Sequence, residues 1–192
     1  KYGLEIRTCE DTGPYKKLIP ALEACPDAFV VTADDDIMYR SDWLQSLIAG
    51  WDGKTYQIVC HRGHKIRFDD NGLPLPYCMW NFELAGPQQG VDVFPTSGGG
   101  VLYPPGALHD DVTDMQTALK LAPRADDIWY YWMGRRQGCV FQKTGNNTRL
   151  RRIPTREQEG LEHENLWQDG NDNKIKAMIS YYGWFNVAHD VG

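Results

Sequence analysis

Ala28-Phe29-Val30-Val31-Thr32-Ala33-Asp34-Asp35-Asp36 is the stretch on which the fold turns. A run of β-forming and small residues ends at three consecutive carboxylates. A short apolar run bounded by polar residues predicts a strand buried on both faces, and such strands belong to parallel or mixed α/β sheets. Ligands of those sheets bind at the carboxyl ends of the strands. One Asp after a strand is ordinary turn or cap chemistry. Three in succession repel one another unless a cation or hydrogen-bond donors compensate. An oxygen-rich site of this kind suits Mg2+ or Mn2+, usually shared with phosphates.

Working outward, Ser41 is placed to cap a helix from Asp42 to Trp51, with Leu44, Leu47, Ile48 and Trp51 at helical spacing. Upstream, Leu4 to Thr8 reads as a strand, and Pro14 suits the first turn of a helix reaching about Ala24. Tyr56–Cys60 and Lys65–Phe68 read as strands, and Asn71-Gly72 as a tight turn. Residues 73–95, rich in Pro, Gly and aromatic residues, predict an ordered excursion from the sheet. Thr113 or Asp114 caps a short helix to Leu121, and Asp126-Asp127 open another that ends before Gly138. Ile175, Met178, Ile179 and Tyr182 form a last helical stripe closed by Gly183. The expected class is α/β, a mainly parallel mixed sheet flanked by helices, in one domain over residues 1–192. Its first part, about 1–70, holds the acid loop. The second, about 90–192, holds the glycine turn and the later acids.

The chain has 192 residues, of which 42% are hydrophobic, enough for one sizeable core. Its 20 basic and 26 acidic residues leave a net charge of −6, which argues against a general nucleic-acid binder. A local patch at Arg149, Arg151 and Arg152 is the exception. No apolar run approaches the ~20 residues of a membrane span, and no signal peptide is visible. Five scattered cysteines, Cys9, Cys25, Cys60, Cys78 and Cys139, suit buried free thiols in a reducing, cytoplasmic setting. Cys60-His61 and His64 lack a second pair at zinc spacing, so they read as structural. His163 and His189 are late candidate ligands, and Asn146-Asn147-Thr148 is a glycosylation triplet that means little without a secretion signal.

Val31-Thr32-Ala33-Asp34-Asp35-Asp36-Ile37-Met38-Tyr39-Arg40-Ser41-Asp42-Trp43-Leu44 resembles the Asp-x-Asp segment of glycosyltransferases with the GT-A fold, closest to bacterial enzymes related to family 2. The likeness extends to Gly13–Leu22, Phe94–Pro105 and Ala125–Trp129, and covers roughly residues 3–145 with a weaker echo near 165–183. It implies a metal-dependent, inverting transfer of a sugar from a nucleotide diphosphate, UDP by default, to a hydroxyl acceptor such as a glycan. It also implies a strand carrying the nucleotide-base site before Leu4; without it, base discrimination is weak and an open sheet edge favours self-association.

On that resemblance Asp36 and Asp34 are the metal ligands, with Asp35 beside the donor. Tyr15, Lys16 and Lys17 line the nucleotide pocket, and Gly98, Gly99 and Gly100 lie beneath the donor sugar. The general base is the last acid of the later pair, Asp127, with Asp126 second. Trp129, Tyr103 and Trp80 offer apolar faces for an acceptor sugar. Ordinary alternatives stand beside each assignment: acids favour helix starts, glycine runs make plain turns, and most aromatic rings are core. Two rival functions remain open, a carbohydrate-binding or degenerate module of the same fold and a metal-dependent phosphoesterase.

Overall fold

Val or Ile occurs in four of the five strands of the main sheet, because branched side chains fit a pleated, covered surface. In the computed structural model, which describes residues 3–54, 56–145, 151–153 and 170–185, these segments assemble a mixed five-stranded sheet. The strands are β1 (Val30–Thr32), β2 (Ile37–Met38), β3 (Gln57–Cys60), β4 (Gly63–Lys65), β5 (Gln88–Gly90), β6 (Val93–Pro95), β7 (Val101–Tyr103), β8 (Val140–Lys143) and β9 (Arg151–Arg152). The main sheet runs β1-β7-β3-β8-β5. Only the β3–β8 pair is parallel; β1–β7, β3–β7 and β5–β8 are antiparallel. Two-stranded ribbons, β2–β9 and β4–β6, flank it.

The helices are α1 (Ile19–Ala24), α2 (Trp43–Gly50), α3 (Met115–Leu121), α4 (Asp126–Arg136) and α5 (Gly170–Tyr182). Alternation along the strands decides which helix each side chain meets. Ile58, Cys60, Val101 and Tyr103 join the main core with α4, whereas Val59 and Leu102 join Leu47 of α2 on the opposite face. The α4 face is deep: Ile128 through Met133 are all buried. No helix of the described residues is long and apolar enough to cross a membrane.

The expected strand at residues 28–33 is corrected in two ways. β1 has three residues and stands at the sheet edge, its backbone bonded to β7 alone, so Val30 and Val31 are only half-buried. The sheet is also less parallel than expected. Leu4–Thr8 forms no strand; Leu4 and Ile6 are exposed. The helix expected from Pro14 splits into a 3-10 turn over Gly13–Lys17 and then α1, because Pro20 lacks the N–H that would continue the ladder. The second half of the expected Lys65–Phe68 strand is instead a bridge between Phe68 and Pro74. α2 starts after Asp42, not Ser41, and exposes Leu44 and Ile48 while burying Leu47. The later elements fall as read: Asp114 caps α3 by accepting from the Thr117 N–H at 3.1 Å. Gly138 and Gly183, with φ of 82° and 81°, follow the ends of α4 and α5.

Candidate active site around two acid runs

The turn from Asp34 to Asp36 links β1 to β2 and is held on three sides. Lys17 forms an ion pair with Asp34 at 2.5 Å. The Asp34 N–H donates to the Tyr39 hydroxyl at 2.8 Å, and that hydroxyl donates to the Gly98 carbonyl at 3.1 Å. The Asp36 carbonyl accepts from the Ile153 N–H at 2.6 Å, continuing the β2–β9 pairing. Asp35 is exposed and Asp36 half-buried, and neither side chain is hydrogen-bonded or ion-paired to another described residue.

The second run opens α4. Neither carboxylate caps the helix, because Ala125 is the N-cap residue and makes no side-chain cap. The Asp127 carboxylate instead accepts the Ser97 N–H at 2.9 Å, which ties α4 to the glycine turn. Asp126 is buried, and its Oδ2 has no hydrogen-bond partner. Desolvation first, then the neighbouring Asp127 charge, pushes its carboxyl up to about 8. Asp127 is raised too, again by desolvation, but the Ser97 N–H and the charges of Lys17 and Arg62 oppose the rise. The pair therefore holds a proton more tightly than two free carboxyls, and Asp127, with part of its surface open, is the member whose charged form receives the Ser97 N–H.

Ser97–Gly99 form a short 3-10 turn followed by Gly100 at φ 97°. Small residues are required here for clearance. A Cβ on Gly100 would lie 2.5 Å from the Trp43 ring, and one on Gly99 2.6 Å from the Arg62 Cβ. Trp43 in turn donates its indole N–H to the Gly99 carbonyl at 2.8 Å. The fold therefore gathers Lys17, Asp34, Ser97, Asp126 and Asp127 around one turn, from four separate parts of the chain. Lys17 is the common member: Asp126, Asp34 and Asp127 all raise its affinity for a proton, against the opposing effect of burial.

Several expected site residues lie elsewhere. Trp129 is fully buried and donates to the Val112 carbonyl; Trp80 is buried and donates to the Leu75 carbonyl; Tyr103 packs edge-on against Tyr130. Their ring faces are spent on the core, which corrects their assignment to an acceptor cleft. Tyr15 is likewise core, with its hydroxyl on the Ala122 carbonyl at 2.6 Å. Lys16 points outward to an exposed ion pair with Asp11. His61 is held by Thr144 and the Trp43 carbonyl, and the His64 Nδ1 accepts the Glu83 N–H, so both are structural. His163, His189, Arg149 and the Asn146–Thr148 triplet lie outside the described residues.

Three residues missed in the sequence brace the site: Tyr39, Trp43 and Arg62. The first two sit at the fifth and ninth positions after Asp34. That spacing was a usable signal, since it places Tyr39 directly after β2 and Trp43 at the start of α2, both close behind the acid turn. Arg62 had no such signal. Among the described residues no three His, Cys, Asp or Glu side chains gather into a metal-ligating group. A cation completed by ligand phosphates needs only one or two protein carboxylates; Asp36 has a side chain uncommitted among the described residues, whereas Asp34 is paired with Lys17. No family model matches this chain, and no curated protein or solved structure matches it.

Proposed function

We propose that this chain is a GT-A-type glycosyltransferase domain that moves a sugar from a nucleotide-diphosphate donor, UDP by default, to a hydroxyl of an acceptor. The observation that carries the reading is the convergence of two acid runs on one glycine turn, although roughly ninety residues separate them. Each run suits one half of the chemistry. Asp34 and Asp36 would hold Mg2+ or Mn2+, which when bound neutralises charge on the departing diphosphate. Lys17 adds a fixed positive charge at the same place.

Asp127 takes the proton from the attacking hydroxyl. It is suited to this because Lys17, Arg62 and the Ser97 N–H keep it ionised while burial makes it more basic than a free carboxylate. Asp126, neutral below its raised pKa, spares Asp127 a second adjacent charge. Direct displacement by a hydroxyl activated in this way inverts the anomeric centre.

Titration of the chain with UDP, with and without manganese, tests the reading. Manganese should tighten UDP binding by at least tenfold, and a UDP-sugar should be turned over. Binding that ignores manganese, with no transfer or hydrolysis of any UDP-sugar, would return the chain to the degenerate-module alternative. The phosphoesterase alternative predicts release of phosphate without sugar transfer.

A further inference from the structure

Arg62 lies in the connection between β3 and β4. It is fixed to the glycine turn through the backbone: its carbonyl accepts the Thr96 N–H at 3.1 Å, and the His61 N–H donates to the Gly100 carbonyl at 3.2 Å. Its side chain is gripped at both ends. Nε and Nη2 donate to Glu83 Oε1 at 3.1 and 2.9 Å, and Nη1 donates to Thr96 Oγ1 at 3.2 Å. A guanidinium has five N–H donors. Three are used, which leaves one on each terminal nitrogen to donate to an oxyanion. The side chain keeps 28% of its surface accessible.

Stability does not account for this grip. Glu83 is mostly exposed, and its backbone sits at φ 50°. Holding a non-glycine residue there costs more than an exposed ion pair returns. The conformation is enforced by the buried His64, whose Nδ1 accepts the Glu83 N–H at 3.0 Å. Burial pushes His64 down to about 4, so it remains a neutral acceptor. The arrangement holds a cation in a set orientation at some cost in strain.

Two cations bear on Asp127: Lys17, which is paired with Asp34, and Arg62, which packs against the glycine turn. In the reading above, Lys17 and the first acid run meet the donor diphosphate, and Asp127 meets the acceptor hydroxyl. We propose that Arg62, oriented by Glu83 and Thr96, binds an oxyanion on the acceptor, so that the acceptor is an acidic sugar bearing a carboxylate or a phosphate. This inference rests on the assignment of Asp127 to the acceptor side.

The test is calorimetry on the full chain with methyl glucuronide, glucose 6-phosphate and the neutral methyl glucoside, and separately with pyrophosphate plus manganese. Wild type should bind at least one acidic sugar at least tenfold tighter than the glucoside, and the stronger of the two names the anion. Arg62→Gln should erase that preference while leaving pyrophosphate binding unchanged. Arg62→Lys, which keeps the charge but loses the fork, should lose several-fold and provides the answer if the Gln variant fails to fold. Equal binding of acidic and neutral sugars by wild type, or a preference that survives both variants, would overturn the proposal. Loss of pyrophosphate binding in Arg62→Gln would also overturn it, by moving Arg62 to the donor. Absent pyrophosphate binding in wild type with the acidic preference intact would remove the donor reading and leave Arg62 standing.

Discussion

The two acid runs use the same residue type in opposite ways. Asp34–Asp36 occupy a turn, partly open to solvent, with Lys17 against one carboxylate and the other two uncommitted. Asp126–Asp127 sit at the root of the most deeply buried helix, where water is scarce and the Asp127 charge raises the proton affinity of Asp126. The open run can exchange partners at little cost and so suits a ligand ion. The buried run cannot shed its charge into solvent, so its proton affinity rises and it suits proton transfer. Burial, not residue type, separates the roles.

The largest expected effect comes from Asp127→Asn. Transfer should fall by roughly two to four orders of magnitude, the range of a positioned general base, while UDP binding stays within about twofold. A larger loss from Asp126→Asn would reverse the order within the pair.

The buried run should next reveal itself through pH. Asp126 has a folded-state pKa raised above its unfolded value. It therefore favours the fold below about pH 4, and that contribution is lost as pH rises toward about 8. Wild-type stability should decline over that window by about 1 kcal/mol per pH unit, since one pKa unit is worth about 1.4 kcal/mol at most. Asp126→Asn should flatten the slope in denaturant titrations run at several pH values. An unchanged slope would mean that Asp126 is better solvated than the structure indicates.

The glycine turn joins the runs, and Gly100→Ala attacks the joint. Positive φ and the collision with Trp43 together should cost about 2–3 kcal/mol. The same variant should weaken the pH signature of the buried run if turn and pair form one unit. Asp36→Ala is the smallest perturbation of the fold: melting should shift by less than about 0.5 kcal/mol equivalent, as for a half-buried surface side chain that holds no partner among the described residues. Manganese-assisted UDP binding should nevertheless drop by roughly tenfold. A large loss of stability would show that the open run is structural after all.

Much of this contrast was legible in the sequence as position and little of it as environment. The acids, the glycines and the α4 boundary are local signals, carried by residue type and spacing, and Asp126, Gly100 and Gly138 fall where those signals put them. The aromatic residues misled because ring chemistry is the same in a core and in a cleft. Trp129, Tyr103, Trp80 and Tyr15 differ from cleft residues only in what folds over them, and that depends on contacts such as Tyr15 to Ala122 across the chain. The edge position of β1 was hidden for a similar reason, since its pairing with β7 joins segments seventy residues apart. Arg62 was invisible because its importance lies in a turn, Thr96–Gly100, that meets it only in three dimensions.

The five cysteines fall into two classes that act together as a built-in gauge of opening. Cys9, Cys25 and Cys78 are exposed, which corrects the expectation of burial for these three, whereas Cys60 and Cys139 are buried and burial pushes both thiols up to about 12. Thiolate is the reactive form, so the two buried sulfurs stay chemically silent for as long as the sheet holds. Cys60 lies in β3 at the middle of the sheet, and the Cys139 thiol is bonded to the Ala107 carbonyl at 3.0 Å just before β8. Neither can meet a reagent until the packing around it opens. The rate at which the last two thiols become modifiable therefore reports cooperative opening of the fold itself, without any label having to be introduced.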